Sequence, residues 1–380
     1  MKAINPGHFL LTCRLDNWVH LLEENHFHIA RDRLPQALYI SATALALAPA
    51  AAAESLIYRK RIRETKIEKD PIFILGHWRS GTTYLQNVLS RDEQFGWFDP
   101  VNTIGLPYSL LLGRLIQPPI EKGIQNGRPQ DNVQYSLDLP MEETFGVLTI
   151  SPYSIIHMIA FPENYKKYIE GAFVSDLPVE ELRKWERSYD YAVRKLTYIK
   201  KGKQLILKSP DNTARIRELW GMYPDARFIN IHRDPYKTVR STIHMFRTEM
   251  DSLRLTEEPD NIDELIENTV IDIFERMYRE LFELEGFFPK NRYVDIAYTD
   301  FCRAPVDTLR DIYRRLELSG FEAAAPCRCG RAGRGRGRKT PCARAREGPW
   351  SPCRCSRACR DCRTRRKPRA GCARFCFPVY

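Results

Sequence analysis

Residues 71–83 constrain the fold more than any other segment. They read Pro-Ile-Phe-Ile-Leu-Gly-His-Trp-Arg-Ser-Gly-Thr-Thr, an apolar run that enters a turn bounded by Gly76 and Gly81 and continues into a helical pattern. A strand, a glycine-bounded turn and a helix form the layout of a phosphate-binding loop, in which the N–H groups that open the helix, from about Thr82, point at an anion. The segment therefore predicts an α/β fold with an anion site at the end of a strand.

The loop keeps the G-x-x-x-x-G spacing of an ATP-binding P-loop but lacks its lysine, because Thr82 follows the second glycine. Its basic residue, Arg79, lies inside the loop instead. Nucleoside triphosphatases use the lysine on the β- and γ-phosphates, and a threonine cannot supply that charge. We therefore expect an anionic ligand other than a nucleoside triphosphate.

Three motifs, in this order, resemble those of the sulfotransferases that use 3′-phosphoadenosine 5′-phosphosulfate as donor. Residues 78–83 are similar to the family's donor loop, with tryptophan where proline is usual. Residues 205–210, Leu-Ile-Leu-Lys-Ser-Pro, are similar to a central strand that ends in a lysine near the transferred group. Residues 226–235, followed by Ser241, are similar to the strand, arginine and serine of the 3′-phosphate site. The pattern is most similar to bacterial sulfotransferase-like proteins, over about residues 1–321.

This resemblance implies in-line transfer of a sulfonate group from that donor to a hydroxyl or amine. Arg79 would bind the 5′-phosphate and the bridging oxygen, and Lys208 would lie near the sulfonate; the plainer interpretations are an arginine that caps the turn and a lysine that ends an apolar strand. Fixed cations and backbone N–H groups can stabilise the developing charge, so we expect no metal. The predicted donor-binding residues are Gly76, Arg79, Ser80, Gly81, Thr82, Thr83, Arg233 and Ser241.

The general base is harder to assign. Many family members have a histidine two residues beyond the lysine, where this chain has Pro210, and other branches use a glutamate. Glu142 and Glu143 are the candidates, because neighbouring carboxylates raise each other's pKa and can then accept a proton near neutral pH. Acids at this position would also suit the start of a helix. His77 and His157 are further alternatives.

The predicted strands cover about 71–76, 204–208, 226–232 and 292–298, each short, apolar and followed by a helical pattern. Crossover units of this kind favour a mainly parallel sheet with helices on both faces, a three-layer α/β fold of the P-loop type. The predicted helices cover about 82–90, 179–200, 212–222, 235–249, 262–285 and 305–317.

The chain divides into three predicted parts. Residues 1–70 form a helical lead-in and residues 71–321 the P-loop domain. Within that domain, residues 95–171 are irregular and rich in Pro, Tyr and Phe, and are the candidate acceptor-binding insertion. The acceptor would be a small molecule, a lipid or a glycan. The alternative function is that of another P-loop transferase, such as a small-molecule kinase, which would need a loop lysine and a magnesium-binding acid.

The net charge of +11 comes from the end of the chain. Residues 321–380 hold 17 Lys and Arg against three acids, with nine of the 11 cysteines and no Leu, Ile or Met, while 42 basic and 45 acidic residues precede them. Such a composition cannot form an ordinary core. We interpret the tail, residues 322–380, as out-of-frame translation. The two less favoured interpretations are a zinc module and a basic nucleic-acid arm. A zinc module is disfavoured because only Cys359 and Cys362 have C-x-x-C spacing. We therefore expect no nucleic-acid partner.

Residues 34–53 are 20 consecutive uncharged residues, enough to span a bilayer. Nine of them are alanines, which add little transfer free energy, so a buried or interfacial helix is favoured over a transmembrane one. The start of the chain shows no secretory signal pattern, and only Cys13 and Cys302 precede the tail. We expect a cytoplasmic protein, with peripheral membrane association as the less favoured alternative.

Overall fold

The computed structural model describes residues 3–124 and 136–324. Within them, a five-stranded sheet has the order β2-β3-β1-β4-β5, and all its neighbouring strands are parallel. The strands are β1 Ile72–Leu75, β2 Phe95–Gly96, β3 Gln204–Lys208, β4 Arg227–His232 and β5 Tyr293–Ala297. The predicted α/β class with a parallel sheet is confirmed. The edge strand β2 has no counterpart among the predicted strands, because two residues carry no periodic pattern.

The helices of the described residues surround this sheet. They are α1 Leu15–Glu24, α2 Leu34–Glu64, α3 Thr82–Leu89, α4 Pro100–Ile104, α5 Ser109–Ile124, α6 Thr144–Val147, α7 His157–Ala160, α8 Tyr165–Glu170, α9 Val179–Ile199, α10 Ile216–Met222, α11 Pro235–Leu253, α12 Ile262–Glu285, α13 Tyr298–Arg303, α14 Pro305–Arg315 and α15 Phe321–Ala324. All six predicted helices are present. The one predicted from 212 begins only at Ile216, because Pro210–Ala214 forms a 3₁₀ turn.

The sheet is buried on both faces, which explains why its strands read as continuous apolar runs. In β1, Ile72 and Ile74 pack with residues of α3 and α14. Phe73 and Leu75 point to the other side and pack with residues of α9, α10 and α12. Helix, sheet and helix therefore form the three predicted layers.

The lead-in helices share a core with the rest of the molecule. Trp18 of α1 and Ile40 of α2 belong to the same buried cluster as Trp78 of the β1–α3 turn, Phe246 of α11 and Ile273 of α12. The helical lead-in thus packs directly behind the β1–α3 turn. The domain limits at 70 and 321 stay predictions.

Helix α2 is 31 residues long and continues through Pro49. It joins the uncharged run of residues 34–53 to the basic run that follows. In the described part of the chain it is the one helix long and apolar enough to cross a membrane, and only 17% of its most apolar window is buried. Most of this window is therefore exposed, while Ile40 and its buried neighbours pack in the core.

The candidate acceptor-binding insertion, residues 95–171, contains β2 and the helices α4 to α8. Residues 125–135 of this insertion lie outside the described residues. The same holds for residues 325–380, so the interpretation of the Arg- and Cys-rich tail and the expected lack of a nucleic-acid partner stay predictions.

Candidate active site

The turn between β1 and α3 has a shape that only glycine permits at two positions. Gly76 has a φ of +137° and Gly81 a φ of +106°, values that L side chains rarely adopt. A Cβ on Gly76 would lie 2.5 Å from the carbonyl oxygen of Ile231, and a Cβ on Gly81 would lie 2.3 Å from Cδ2 of Tyr298. The two glycines let the backbone curl tightly before α3, whose first N–H groups can then face an anion.

Buried contacts hold this turn in place. The backbone N–H of Gly76 donates to Oγ1 of Thr213 at 2.8 Å, and that of Ser80 donates to the carbonyl oxygen of His77 at 3.2 Å. His77 packs edge-on against Phe274 of α12, with ring centroids 5.1 Å apart. Burial lowers the pKa of His77 to about 4, so its ring is neutral at physiological pH.

Three of the predicted donor-binding residues meet beside the turn. Nε of Arg79 donates to Oγ of Ser241 in α11 at 3.0 Å, although 162 residues separate them. Arg233, which follows β4, donates from Nη1 to the carbonyl oxygen of Arg79 at 3.4 Å. Its guanidinium also lies over the Tyr298 ring, 4.9 Å from the centroid. Two guanidinium groups and a helix N-terminus give this region a positive potential.

Lys208 connects the turn to the insertion. It ends β3 beside Ile74 of β1, at the edge where α/β folds place ligand sites. Its Nζ donates to Oγ1 of Thr83 at 3.2 Å and to Oε1 of Glu142 at 2.5 Å. Lys208 is almost completely buried, whereas the Glu142 side chain retains 12% of its surface. A cation from the sheet thus contacts a hydroxyl of α3 and a partly exposed carboxylate of the insertion.

Glu143 faces the interior, away from its neighbour Glu142. Its Oε1 accepts hydrogen bonds from the Tyr189 hydroxyl at 3.0 Å and from Nδ2 of Asn212 at 2.5 Å, and its Oε2 accepts from the backbone N–H of Lys208 at 2.9 Å. Burial raises the pKa of the Glu143 carboxyl. The two adjacent carboxylates therefore occupy different environments, and only Glu142 reaches solvent appreciably.

The second histidine considered as a base, His157, lies elsewhere. Its Nδ1 is 2.9 Å from the carbonyl oxygen of Pro152, and its ring packs edge-on against Tyr168 of α8. Burial lowers the pKa of His157 to about 4. This residue belongs to the core between α7 and α8.

The residues directly after Lys208 make contacts that the sequence analysis did not assign. The backbone N–H of Thr144 donates to Oγ of Ser209 at 3.1 Å, and its hydroxyl donates to Oδ2 of Asp211 at 2.9 Å. Asp211 also forms an ion pair with Arg215 at 2.9 Å. A run of Ser, Pro, Asp, Asn and Thr after a buried strand is the signal that could have identified this segment, since parallel sheets place ligand sites there.

Across residues 3–124 and 136–324, no group of three or more His, Cys, Asp or Glu side chains is arranged to hold a metal ion.

The position of Tyr298 beside the turn could not be predicted from the sequence. It lies against both Gly81 and Arg233 only because β5, which precedes it, is next to β4 in the sheet.

Comparison with known proteins gives a consistent result. A model of the sulfotransferase family matches residues 71–323. The omega-hydroxy-beta-dihydromenaquinone-9 sulfotransferase Stf3 of Mycobacterium bovis is 30% identical over 316 residues, which cover 83% of this chain and 80% of that protein.

Two solved structures are similar in fold. The sulfotransferase STF1 of Mycobacterium tuberculosis H37Rv has a TM-score of 0.59 and 18% identity, covering 80% of this chain and 84% of that one. The sulfotransferase STF9 of Mycobacterium avium has a TM-score of 0.52 at 18% identity, with the same coverage of 80% and 84%. Similarity at this level of identity supports the fold.

Proposed function

Because the chain belongs to the sulfotransferase family and is a sulfotransferase, we propose that it transfers a sulfonate group from 3′-phosphoadenosine 5′-phosphosulfate to a hydroxyl of a lipid-like small molecule. The observation that carries this proposal is the position of Lys208. It contacts Thr83 of the donor loop and Glu142 in the insertion, so that the proposed donor and acceptor sites adjoin at one cation. The small-molecule kinase alternative is not favoured by the family match.

Donor binding is assigned to the turn and its neighbours. Arg79, the N–H groups that open α3 and the hydroxyls of Thr82 and Thr83 would bind the 5′-phosphosulfate, since a curled backbone and a guanidinium suit its oxygens. Arg233 and Ser241 would bind the 3′-phosphate. Their contacts with Arg79 support this assignment, because the two phosphate groups belong to one nucleotide and must be bound side by side.

The chemistry requires one bond to form as another breaks. The acceptor oxygen attacks sulfur, the bond between sulfur and the bridging oxygen breaks, and adenosine 3′,5′-bisphosphate leaves with the electron pair. Lys208 would neutralise the charge that develops on the bridging oxygen. Glu142 would accept the proton of the attacking hydroxyl. The Lys208–Glu142 contact opens in this step, as the sulfonate replaces the carboxylate beside Lys208.

Glu143 is assigned a positioning role. It accepts a hydrogen bond from the backbone of Lys208 and others from Tyr189 and Asn212, so it fixes the end of β3 without reaching the acceptor.

The hydroxyl acceptor is proposed from the relative that shares 30% identity, whose name specifies an omega-hydroxy dihydromenaquinone.

Two substitutions test the proposal. Glu142→Gln should lower kcat by roughly 10²- to 10⁴-fold with a hydroxylated isoprenoid quinone as acceptor, because the proton acceptor is lost. Calorimetric binding of adenosine 3′,5′-bisphosphate should be unchanged in that variant. Arg79→Gln should weaken this binding at least about tenfold, the loss of one charge-assisted contact.

The matched control is Arg187→Gln, an exposed arginine of α9, which removes the same charge and should leave bisphosphate binding unchanged. Tighter binding of ATP than of the bisphosphate would contradict the donor assignment. Full turnover in Glu142→Gln would remove Glu142 as the base.

A further inference from the structure

Helix α2 exposes an uncharged apolar face along most of its length. Leu34, Leu38, Leu45 and Leu56 are 46%, 68%, 64% and 86% exposed. At about 100° per residue these four leucines fall within roughly 40° of one another on the helix. The buried residues of the helix are centred roughly 130° from this stripe. They are Gln36, Ala37, Ile40, Ala44, Glu54 and Ile62. Glu54 is the one charged residue between positions 34 and 57, so the outer face has none.

This pattern is unusual for a helix at a protein–water boundary. Such helices place charged residues on the outer face, whereas α2 places leucines there. The stripe from Leu34 to Leu56 covers 23 residues, and the 22 steps between its ends rise about 33 Å at 1.5 Å per residue. Exposed apolar patches of this extent mark sites of contact with another surface.

The end of the helix indicates what that surface is. Directly after the apolar face come four exposed basic residues, Arg59, Lys60, Arg61 and Arg63. Arg59 and Arg63 fall within about 60° of Leu56 on the helix, on the same side as the leucine stripe. A stripe of leucines that continues into basic residues matches a lipid surface with anionic headgroups, since the leucines suit the acyl boundary and the cations suit the phosphates.

We propose that α2 is a membrane-docking helix, which lies in the interface of an anionic bilayer with its leucine stripe inward and its basic residues among the headgroups. The opposite face explains why the helix would lie in the surface and not span it. Glu54 and Lys195 of α9 form a fully buried ion pair, and Nζ of Lys195 also donates to the carbonyl oxygen of Leu106 at 2.5 Å. Insertion across a bilayer would break this pair and leave charges in hydrocarbon.

Docking would also bring the candidate acceptor-binding insertion to the bilayer, a step that rests on the proposed function. Oε2 of Glu54 accepts a hydrogen bond from the backbone N–H of Leu111 in α5 at 2.9 Å. Leu115, one turn further along α5, is 73% exposed. Leu111 also lines a cavity of about 630 Å³ between α4 and α5. A lipid-like acceptor could then reach the insertion directly from the membrane.

The test is co-sedimentation of the full chain with vesicles of phosphatidylglycerol and phosphatidylcholine, compared with phosphatidylcholine alone. The basic tail also attracts anionic lipid, so the leucine variants and their control keep the net charge constant. Leu38→Gln, Leu45→Gln and Leu56→Gln together should reduce partitioning at least about tenfold, from the apolar area lost. The matched control replaces three exposed apolar residues elsewhere, Val179, Phe282 and Phe287, with Gln, and should bind as the parent does.

If the triple Gln variant fails to fold, the same three leucines are replaced with Ala, which should still weaken binding several-fold. Replacing the four basic residues with Gln should weaken binding to the anionic vesicles and leave binding to phosphatidylcholine unchanged.

Absence of vesicle binding, or equal binding by the α2 and control variants, would overturn the proposal. Resistance to carbonate extraction would overturn it in favour of a spanning helix. Self-association that the leucine variants abolish, without lipid binding, would assign the face to a second copy of the chain. Sulfonate transfer to a detergent-dispersed acceptor should be unaffected in the leucine variants, so failure of docking and failure of the proposed function are distinguishable.

Discussion

Gly81 is a position in the β1–α3 turn where a single added methyl group would be costly. Gly81→Ala would force a positive φ on an L residue and place its Cβ 2.3 Å from the Tyr298 ring. We expect a loss of about 1–3 kcal/mol in the free energy of unfolding, measured in urea, together with loss of adenosine 3′,5′-bisphosphate binding.

The control for this prediction is Gly221→Ala in α10, where an added Cβ meets no atom within 4 Å. That change should stabilise the protein by about 0.5–1 kcal/mol, because alanine favours helix. Equal unfolding free energies for the two variants would contradict the steric argument at Gly81.

At this scale the positions of residues in ordered motifs could be predicted from the sequence. Arg79, Lys208 and Arg233 could be selected because a strand end or a glycine turn fixes where they lie, and their functional roles stay predictions. The different environments of Glu142 and Glu143 could not be predicted. They depend on Tyr189 and Asn212, which approach Glu143 from distant elements and leave no local pattern.

At the scale of elements, α2 and α9 are joined by the buried pair of Glu54 and Lys195. Glu54→Gln removes one charge and leaves the Lys195 ammonium buried without its partner carboxylate. We expect a loss of about 3–5 kcal/mol in the free energy of unfolding, measured in urea. Replacing both residues, as Glu54→Leu with Lys195→Met, should restore much of this loss, because no buried charge remains.

An exposed ion pair provides the control. Asp307 and Arg310 lie three residues apart in α14, and both side chains are well exposed. Asp307→Asn should cost less than about 1 kcal/mol, since water solvates the remaining arginine. A similar cost for Glu54→Gln would mean that the Glu54–Lys195 contact does not stabilise the fold.

Most strands and helices could be predicted because their apolar periodicity is local. Helix α11 also carries its own start signal, since Asp234 accepts a hydrogen bond from the backbone N–H of Lys237 and Pro235 occupies the first turn. Helix α5 could not be predicted, because Pro118 and Pro119 lie within it and adjacent prolines are a signal for a helix end. The exposed face of α2 could not be predicted from the sequence either, because only tertiary packing decides which face of the helix is covered.

For the whole molecule, three buried histidines predict sensitivity to acid. Burial lowers the pKa of His8, His77 and His157 from 6.5 to about 4. The unfolded chain therefore binds more protons than the folded protein between these values. The free energy of unfolding should have its full value above about pH 6.5. It should fall as the pH drops toward 4, by up to about 3 kcal/mol for each ring. Urea unfolding at a series of pH values measures this slope.

His157→Gln should reduce the dependence of the unfolding free energy on pH by roughly the contribution of one histidine. The substitution removes a group that must be neutral in the folded state. The exposed His244 of α11 is the matched control, and His244→Gln should leave the slope unchanged. An unchanged slope in His157→Gln would show that this ring does not contribute to acid unfolding.

The place of β1 in the sheet has a consequence for biosynthesis. Ile72 pairs with Ile206 on one side and with Arg227 on the other, so both neighbours of the strand are encoded far downstream. A nascent chain whose β1–α3 turn has left the ribosome cannot complete the contacts of that turn until β3 and β4 have also emerged. During this interval the apolar strand β1 has neither neighbouring strand to pair with. Contacts between residues so distant in sequence also form slowly. Slow translation of the downstream strands, or a shortage of chaperones, should therefore lower the yield of folded protein.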